Sequence, residues 1–422
     1  MIASFTYAAR YQITAVCLTP LRTGGPDGDT EAVLRDGQNR AFLQGTSLAG
    51  ALRSWLEKHT SLALTECLLG SQEKSGHLVV SDAMFDPGAE QHTRPRLRID
   101  PITGSAADGG KFDVAHIGAG ARLSFSLTWL GNQGQVDELE TVEQLLAALH
   151  GGNIRLGAQK SNGFGRVALT VTKRLFDMTE PQDRQDWLDD ADGGTPLELP
   201  ETADSRRVAF TVTGRLDSLL VRAASVEQEE TGSYTPNIIE GSQPILPGSS
   251  VKGAVRSRAE AIAKAVGLDE TRIYELFGRN AMESDNGKPG RVRFEDVRLD
   301  DSKRKITRIR INKFTGGVVR GGLFKEEPVS SEVKLTVSTP DDPIACALVL
   351  YALRDLGAGL YNLGSGGAIG RGYMMVREIT ASAPDGRKAA LVFQNQLECS
   401  LNDPDGLAAE WLEAWGGLVH VD

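Results

Sequence analysis

The phrase LQGTSLAGALR, Leu43 to Arg53, returns as LPGSSVKGAVR, Leu246 to Arg256, 203 positions later. A long-period repeat of this kind decides the fold before any single motif does. Working outward, CLLG (67–70) pairs with ELFG (275–278), and RLRIDPITGSAADGGKF (96–112) pairs with RIRINKFTGGVVRGGLF (308–324). In the longer pair Arg, Ile, Thr-Gly, Gly-Gly and Phe recur in register. NGFGRV (162–167) matches AIGRGY (368–373) more loosely. The pairs keep one order along the chain, so a single domain appears twice, diverged and joined.

Each copy has the same coarse sequence of elements. It opens on an alternating strand, YQITAVCLT or RVAFTVTGRL. The repeated phrase follows as a helix, with Thr46-Ser47 or Ser249-Ser250 expected as caps and Gly45 or Gly248 as a tight turn. A long excursion with hairpin character leads to a second strand, RLSFSLTWL or EVKLTVST. A second helix comes next, DELETVEQLLAALH or DDPIACALVLYALRDLG. A Gly-rich stretch then enters the last strand, GRVALTVTK or RGYMMVREIT. This order is the ferredoxin-like plan with a large insertion. The expected class is α+β with two tandem domains. The first covers 1–175 and the second 207–398, with an acidic linker over 176–206 and a C-terminal helical tail over 399–422. A short helix is expected around Trp187 within the linker.

The 422 residues carry a net charge of −10, with 40% hydrophobic and 24% charged side chains, which suits a soluble globular chain. The charge is unevenly spread. Residues 173–206 hold 10 acidic and 4 basic side chains, whereas Lys303 to Lys325 hold 8 basic ones and no acid. A local basic stripe marks a phosphate footprint more directly than the total does. The four cysteines, Cys17, Cys67, Cys346 and Cys399, show no CxxC and no His at ligand spacing. That argues against a zinc site and a disulfide framework, and for a reducing cytoplasm. The N-terminal stretch does not read as a signal peptide, and no apolar run is long enough to cross a membrane.

The candidate binding residues fall on the repeats. Lys252 and Arg256 are four apart and share a helix face, and Arg53 is the counterpart of Arg256. Free amides at a Ser/Thr-rich helix start suit a phosphate. Arg96, Arg98, Arg308, Arg310 and Lys313 alternate with Leu97, Ile99, Ile309 and Ile311 at strand spacing, basic side chains on one face and apolar on the other. The glycines of LGSGGAIGRGY follow a helix and precede a strand, the reverse of a dinucleotide-binding turn, and no GK[ST] phosphate loop is present. The first copy carries Asp27, Asp29, Glu31 and Asp36 before its helix phrase, where the second copy has no Asp. A loop carboxylate there can hold a divalent cation beside a phosphodiester. None of the six histidines sits in a nucleophile motif.

GTSLAGALR and PGSSVKGAVR, IDPITG and INKFTG, and the closing Gly-rich stretches together resemble the RAMP superfamily, the proteins that form the guide-RNA backbone of CRISPR effector complexes. Two fused copies look like the double-domain subunits of type III-D complexes. The resemblance implies a modified ferredoxin-like, RRM-like fold with thumb-like β-hairpins, mapped here onto 96–116 and 306–328. It implies a cytoplasmic hetero-oligomer with other effector subunits, crRNA and complementary target RNA, and no membrane. The RNA-binding set it suggests is Thr46, Ser47, Arg53, Arg96, Arg98, Gly163, Arg166, Ser249, Ser250, Lys252, Arg256, Arg308, Arg310, Lys313, Gly370 and Arg371. It also implies metal-dependent cleavage of target RNA by one loop Asp, with Mg²⁺ or another divalent cation. Gly24-Gly25, Val33-Leu34, Arg35-Asp36 and Gly45-Thr46-Ser47 match the usual setting of that Asp. By spacing it falls at Thr30, so the adjacent Asp29 is assigned as catalytic and metal-binding residue, with Asp27 second. The region around Tyr234 and Thr235 has no Asp, so the second copy is expected to be silent. A non-cleaving guide-RNA scaffold and a guide-processing endoribonuclease are the alternatives.

Overall fold

The structure is a computed structural model. It describes the chain except residues 1–4, 27–28, 101–105, 192, 201–205, 223–225, 229–231, 280–286, 301–303 and 420–422. Two compact units emerge. One comprises residues 1–93, 112–160 and 164–204, the other 94–111, 161–163 and 205–422.

The first unit is built on the strand Tyr7–Cys17, whose alternation buries Ala9, Tyr11, Ile13, Ala15 and Cys17 on one face. It lies between Arg122–Gly131 and Val167–Asp177, antiparallel to both, with Tyr7 opposite Gly131 and Asp177. Short strands Ala83–Phe85 and Phe42–Leu43 extend one side and Thr195–Leu197 the other. Helices α1 (Gly45–His59), α2 (Leu62–Leu69) and α3 (Glu138–His150) contribute Leu48, Leu52, Leu56, Leu68, Leu145, Leu146 and Leu149 to the core under this sheet. Helix α4 (Pro181–Leu188) contains the short helix expected around Trp187.

The stretch read as an acidic linker belongs to this unit. Trp187 packs on Phe176 with ring centroids 5.2 Å apart, and the Arg10 guanidinium lies 4.7 Å from the Trp187 ring. Arg10 also pairs with Asp190 at 2.7 Å. Together with the Thr195–Leu197 strand, these contacts hold the acidic segment against the sheet. Sequence composition reported its charge and missed its aromatic anchor.

The second unit repeats the plan. Arg207–Leu219 runs antiparallel between Val329–Pro340 and Met374–Ser382, and Lys388–Phe393 and Cys399–Asn402 continue the sheet. Helices α5 (Gly248–Ala265), α6 (Glu270–Phe277) and α7 (Pro343–Gly357) supply Val251, Val255, Leu276, Phe277, Leu348 and Leu353 to its core. The expected tail is part of this core. Helix α8 (Leu407–Val419) buries Trp411 and Trp415, and Trp411 lies 5.7 Å from the ring of Phe210.

The two inserted hairpins share a device. Gln91–Ile99 pairs with Ala106–Ile117, and Ile306–Ile311 pairs antiparallel with Val318–Glu326. Each carries Gly-Gly at the same place. Gly109 and Gly321 are left-handed, with φ of 64° and 71°. At Gly110 a Cβ would meet the Ala107 carbonyl oxygen at 2.8 Å and Arg98 Cβ at 3.0 Å. At Gly322 it would meet the Val319 oxygen at 2.7 Å and Arg310 Cβ at 3.0 Å. The first glycine takes the backbone turn other residues resist, and the second leaves room for an arginine alongside.

Candidate nucleic-acid interface

The helix phrase has a different local logic from the one expected. Helices α1 and α5 begin at Gly45 and Gly248, after Gln44 and Pro247, and neither has a side-chain cap. Thr46, Ser47, Ser249 and Ser250 therefore lie inside the first turn. The caps come from downstream carboxylates. The Gly45 amide donates to Asp82 Oδ1 at 2.7 Å, and the Gly248 amide to Asp296 Oδ1 at 2.7 Å. An acid at a helix start satisfies an orphan amide and the dipole together. Each helix start already holds the chain's own anion, which removes the first amide from phosphate binding. The glycines serve packing rather than a turn. A Cβ would come within 2.7 Å of the Val80 oxygen at Gly45 and 2.5 Å of the Phe294 oxygen at Gly248.

The matched arginines also have a shared structural contact. Arg53 Nη2 donates to the carbonyls of Leu69 and Gly70 at 2.9 and 2.7 Å. Arg256 Nη1 donates to the Gly278 carbonyl at 3.1 Å, and its Nε to Glu260 at 2.6 Å. The repeated Arg and the repeated CLLG/ELFG turn are thus the two ends of one tie. Sequence shows both ends but not the bond joining them.

Lys252 is in another situation. Its Nζ donates to Ser161 Oγ at 3.0 Å. Burial pushes its pKa down from 10.5 to about 8, with the positive charges of Arg256 and Arg96 adding to the effect. A half-buried ammonium beside two guanidiniums is a place where an anion gains most, because the site's own charge is under-compensated.

The hairpins expose both of their faces. Arg98, Arg310 and Lys313 are exposed, and so are Leu97, Ile99, Ile309, Ile311 and Val318. Phe314 is 86% exposed, with Lys313 Nζ 5.1 Å from its ring centre. In the second hairpin the register shifts between Ile309 and Ile311 and Lys313 lies past the strand end, so strict alternation stops there, and the apolar side chains are not covered within the chain among the described residues. Arg96 is half-buried, close enough to Lys252 to act on its charge.

Ion pairs anchor the hairpin bases. Arg94, buried, pairs with Glu240, and with Asp296 at 2.7 Å. Buried Glu326 gathers Arg371 at 2.7 Å, Arg308 at 3.3 Å and Arg222 at 3.7 Å. Arg371, assigned to RNA on sequence grounds, is therefore buried on Glu326. Arg166 is half-buried, with its Nε 2.9 Å from where a Cβ on Gly152 would sit. Gly163 packs against Phe294, where a Cβ would lie 2.9 Å from the backbone oxygen. Gly370 is a left-handed turn at φ 80° with open space around it.

Asp29 lies exposed on a loop of the first unit, and Asp27 falls outside the described residues. The loop is firmly held. Buried Arg22 donates to the Thr30 and Asp29 carbonyls at 3.0 and 3.3 Å, and the Thr30 carbonyl also accepts from the Ala115 amide at 2.8 Å. Gly25 is obligatory there, since a Cβ would lie 2.1 Å from the Asp29 oxygen. Asp29 Oδ1 accepts from the Glu31 amide at 2.8 Å. Among the described residues Asp29 is not gathered with two further ligating side chains. The group that does gather is Cys67, His77 and Glu138. Its members come from three separate segments, so sequence spacing does not bring them together.

A family model described as the RAMP superfamily matches residues 14–168 and, a second time, residues 231–375. The chain belongs to the RAMP superfamily. The family matches the chain twice in tandem, once within each of the two copies read from the repeats. RAMP proteins are CRISPR-associated RNA-binding proteins, some of them RNA endonucleases. No curated protein matches the chain. No helix among the described residues is long and apolar enough to cross a membrane.

Proposed function

We propose that this RAMP protein is a guide-RNA-binding backbone subunit of a type III CRISPR ribonucleoprotein, with two modified ferredoxin-like domains in one chain. The order last strand, first strand, return strand, short strand in the first unit supports that fold reading. The observation carrying the functional reading is the matched pair of hairpins, each with an arginine packed beside a Gly-Gly pair and with uncovered apolar side chains. Arginines track phosphates without regard to sequence, while apolar side chains insert against bases. Lys252 with Arg96 and Arg256 supplies a phosphate seat at the foot of this surface. Reversing charge at Arg98 and Arg310 together should weaken single-stranded RNA binding at least tenfold and flatten its salt dependence. Unchanged affinity and salt slope in that variant would remove the interface.

For target RNA, the reading assigns cleavage to the first unit. Asp29, directly or through Mg²⁺, would organise attack of a ribose 2′-hydroxyl on the adjacent phosphorus. The 2′-oxygen would lose its proton to solvent as the P–O5′ bond breaks, and the departing 5′-oxygen would take a proton from water, giving a 2′,3′-cyclic phosphate and a 5′-hydroxyl. A single exposed carboxylate fits Mg²⁺ only as one of several oxygen ligands, the phosphodiester and water furnishing the rest. Bound so, the cation would stabilise charge on the scissile phosphate. Arg22 would position Asp29 through its carbonyl. The scaffold reading is favoured by one observation: among the described residues Asp29 belongs to no group of three ligating side chains. Target cleavage by Asp29→Ala protein separates the two.

A further inference from the structure

The first unit gathers Cys67 at the end of α2, His77 on the loop that follows, and Glu138 at the first residue of α3. Cys67 Sγ lies 3.6 Å from His77 Nδ1 and 3.3 Å from Glu138 Oε1. His77 Nδ1 lies 2.7 Å from Glu138 Oε2. All three side chains are half-buried. The loop is fixed at both ends of this cluster, by the His77 amide on the Cys67 carbonyl at 2.9 Å and the Leu130 amide on the His77 carbonyl at 2.8 Å.

The arrangement is unlike a nucleophile–base–acid relay. A relay needs the nucleophile and the acid on opposite ring nitrogens. Here the sulfur and the carboxylate both face Nδ1. Convergence of sulfur, nitrogen and oxygen on one point is what a tetrahedral cation requires. Zinc bonds of about 2.3 Å to sulfur, 2.1 Å to nitrogen and 2.0 Å to oxygen place sulfur about 3.6 Å from nitrogen and about 3.5 Å from oxygen. The observed sulfur–nitrogen separation is already 3.6 Å and sulfur lies 3.3 Å from Oε1, while the 2.7 Å contact of His77 is to the other oxygen, Oε2, so the carboxylate has to turn to present one oxygen to both partners. Supporting contacts are in place. Trp129 Nε1 donates to Glu138 Oε2 at 2.8 Å, and the Gln135 amide lies 3.5 Å from the other His77 nitrogen.

The second unit supplies independent support. Its counterpart of Cys67 is Glu275, in the matched ELFG turn. Its counterpart helix start carries Asp342, the cap of α7. Between these two acids lies a cation of the chain's own: Arg272 reaches Glu275 at 3.0 Å and Asp342 at 2.7 Å. In the first unit the position of Arg272 is taken by Leu64, which has no charge. One copy bridges its two helices with a guanidinium. The other offers soft and borderline donors at the same place.

We propose that Cys67, His77 and Glu138 bind one Zn²⁺ that pins α2, the following loop and α3 together. Cys67 would bind as a thiolate, its proton leaving to solvent, and a water would complete the tetrahedron. The thiolate, imidazole and carboxylate set suits zinc over magnesium or calcium, which prefer oxygen alone. The role is structural and separate from Asp29 and from RNA.

The test uses the full chain, stripped of metal and titrated with Co²⁺ under anaerobic conditions. One equivalent should produce a thiolate-to-cobalt charge-transfer band and the intense visible bands of a tetrahedral site, and one equivalent of Zn²⁺ should abolish both. The bands should vanish in Cys67→Ser and persist in Cys399→Ser, the exposed cysteine. Zinc should also raise the melting temperature of wild-type protein and leave that of Glu138→Gln unmoved. A wild-type chain that gives no thiolate band with Co²⁺ overturns the proposal, and this result needs no variant to fold. A band lost with Cys399→Ser rather than Cys67→Ser overturns it equally.

Discussion

Lys252 gives the sharpest prediction because its free-state chemistry opposes its proposed task. With its pKa lowered to about 8, it is roughly nine-tenths protonated at pH 7 and about 3% protonated at pH 9.5. A phosphate contact would return it toward its ordinary 10.5. A group whose pKa is raised on binding contributes fully below its free pKa, and that contribution is lost as pH rises through the bound pKa. Affinity for single-stranded RNA should therefore fall between pH 8 and 10.5. Each pH unit costs about tenfold at most, so pH 9.5 should bind roughly 10–30-fold more weakly than pH 7. Fluorescence anisotropy with a labelled oligonucleotide at fixed ionic strength measures this directly. Calorimetry at pH 8.5 in two buffers of different ionisation enthalpy should register proton uptake on binding. Lys252→Met should bind more weakly at pH 7, lose the pH dependence and lower the salt slope by about 0.7. The same variant should be more thermostable than wild type at pH 7. In the free chain the depressed pKa costs stability below pH 8, and the cost disappears as pH rises to 10.5. Equal pH dependence in wild type and Lys252→Met would refute the reasoning.

Other expectations follow from single contacts. Arg53→Ala should lose about 1–3 kcal/mol of stability, read by denaturant unfolding, because the Leu69 and Gly70 carbonyls lose their donor. Its RNA affinity should stay within about twofold of wild type. Gly110→Ala and Gly322→Ala should each weaken RNA binding several-fold by displacing Arg98 or Arg310, with gel-shift titration as the readout. Glu326→Gln leaves Arg371 buried against a neutral partner and should destabilise the second unit by roughly 3–5 kcal/mol. Asp29→Ala should reduce target cleavage at least a hundredfold, measured as single-turnover decay of labelled RNA, while guide binding stays intact.

The repeat was legible because it needs only register. The elements on either side of it also carried clear periodicity. The α3 and α7 helices fall where their apolar patterns place them, while the first strand, read over residues 11–19, runs from Tyr7 to Cys17. The meaning of individual motif residues was less accessible. Gly45 and Gly248 read as turn formers, yet they are small because a neighbouring strand passes within van der Waals reach. Asp82 and Asp296, which cap the two helices, lie 37 and 48 residues beyond the amides they serve, so no local pattern points to them. Arg371 looked like a phosphate ligand until Glu326, 45 residues away, proved to face it. Cys67 and His77 are 10 apart and Glu138 lies 61 beyond His77, a set visible only once α2 and α3 are packed. Charge and glycine are cheap to count in a sequence. Whether a charge faces solvent or a partner is decided by tertiary contacts.

The central claim is that this RAMP protein coats a guide RNA. It is tested most directly by co-expressing the chain with its genomic neighbours and a repeat–spacer array, purifying the assembly, and sequencing the nucleic acid that accompanies it. The account predicts discrete RNAs with repeat-derived ends, lost when Lys252, Arg98 and Arg310 are neutralised together. An assembly that purifies with its partners but free of RNA would contradict it.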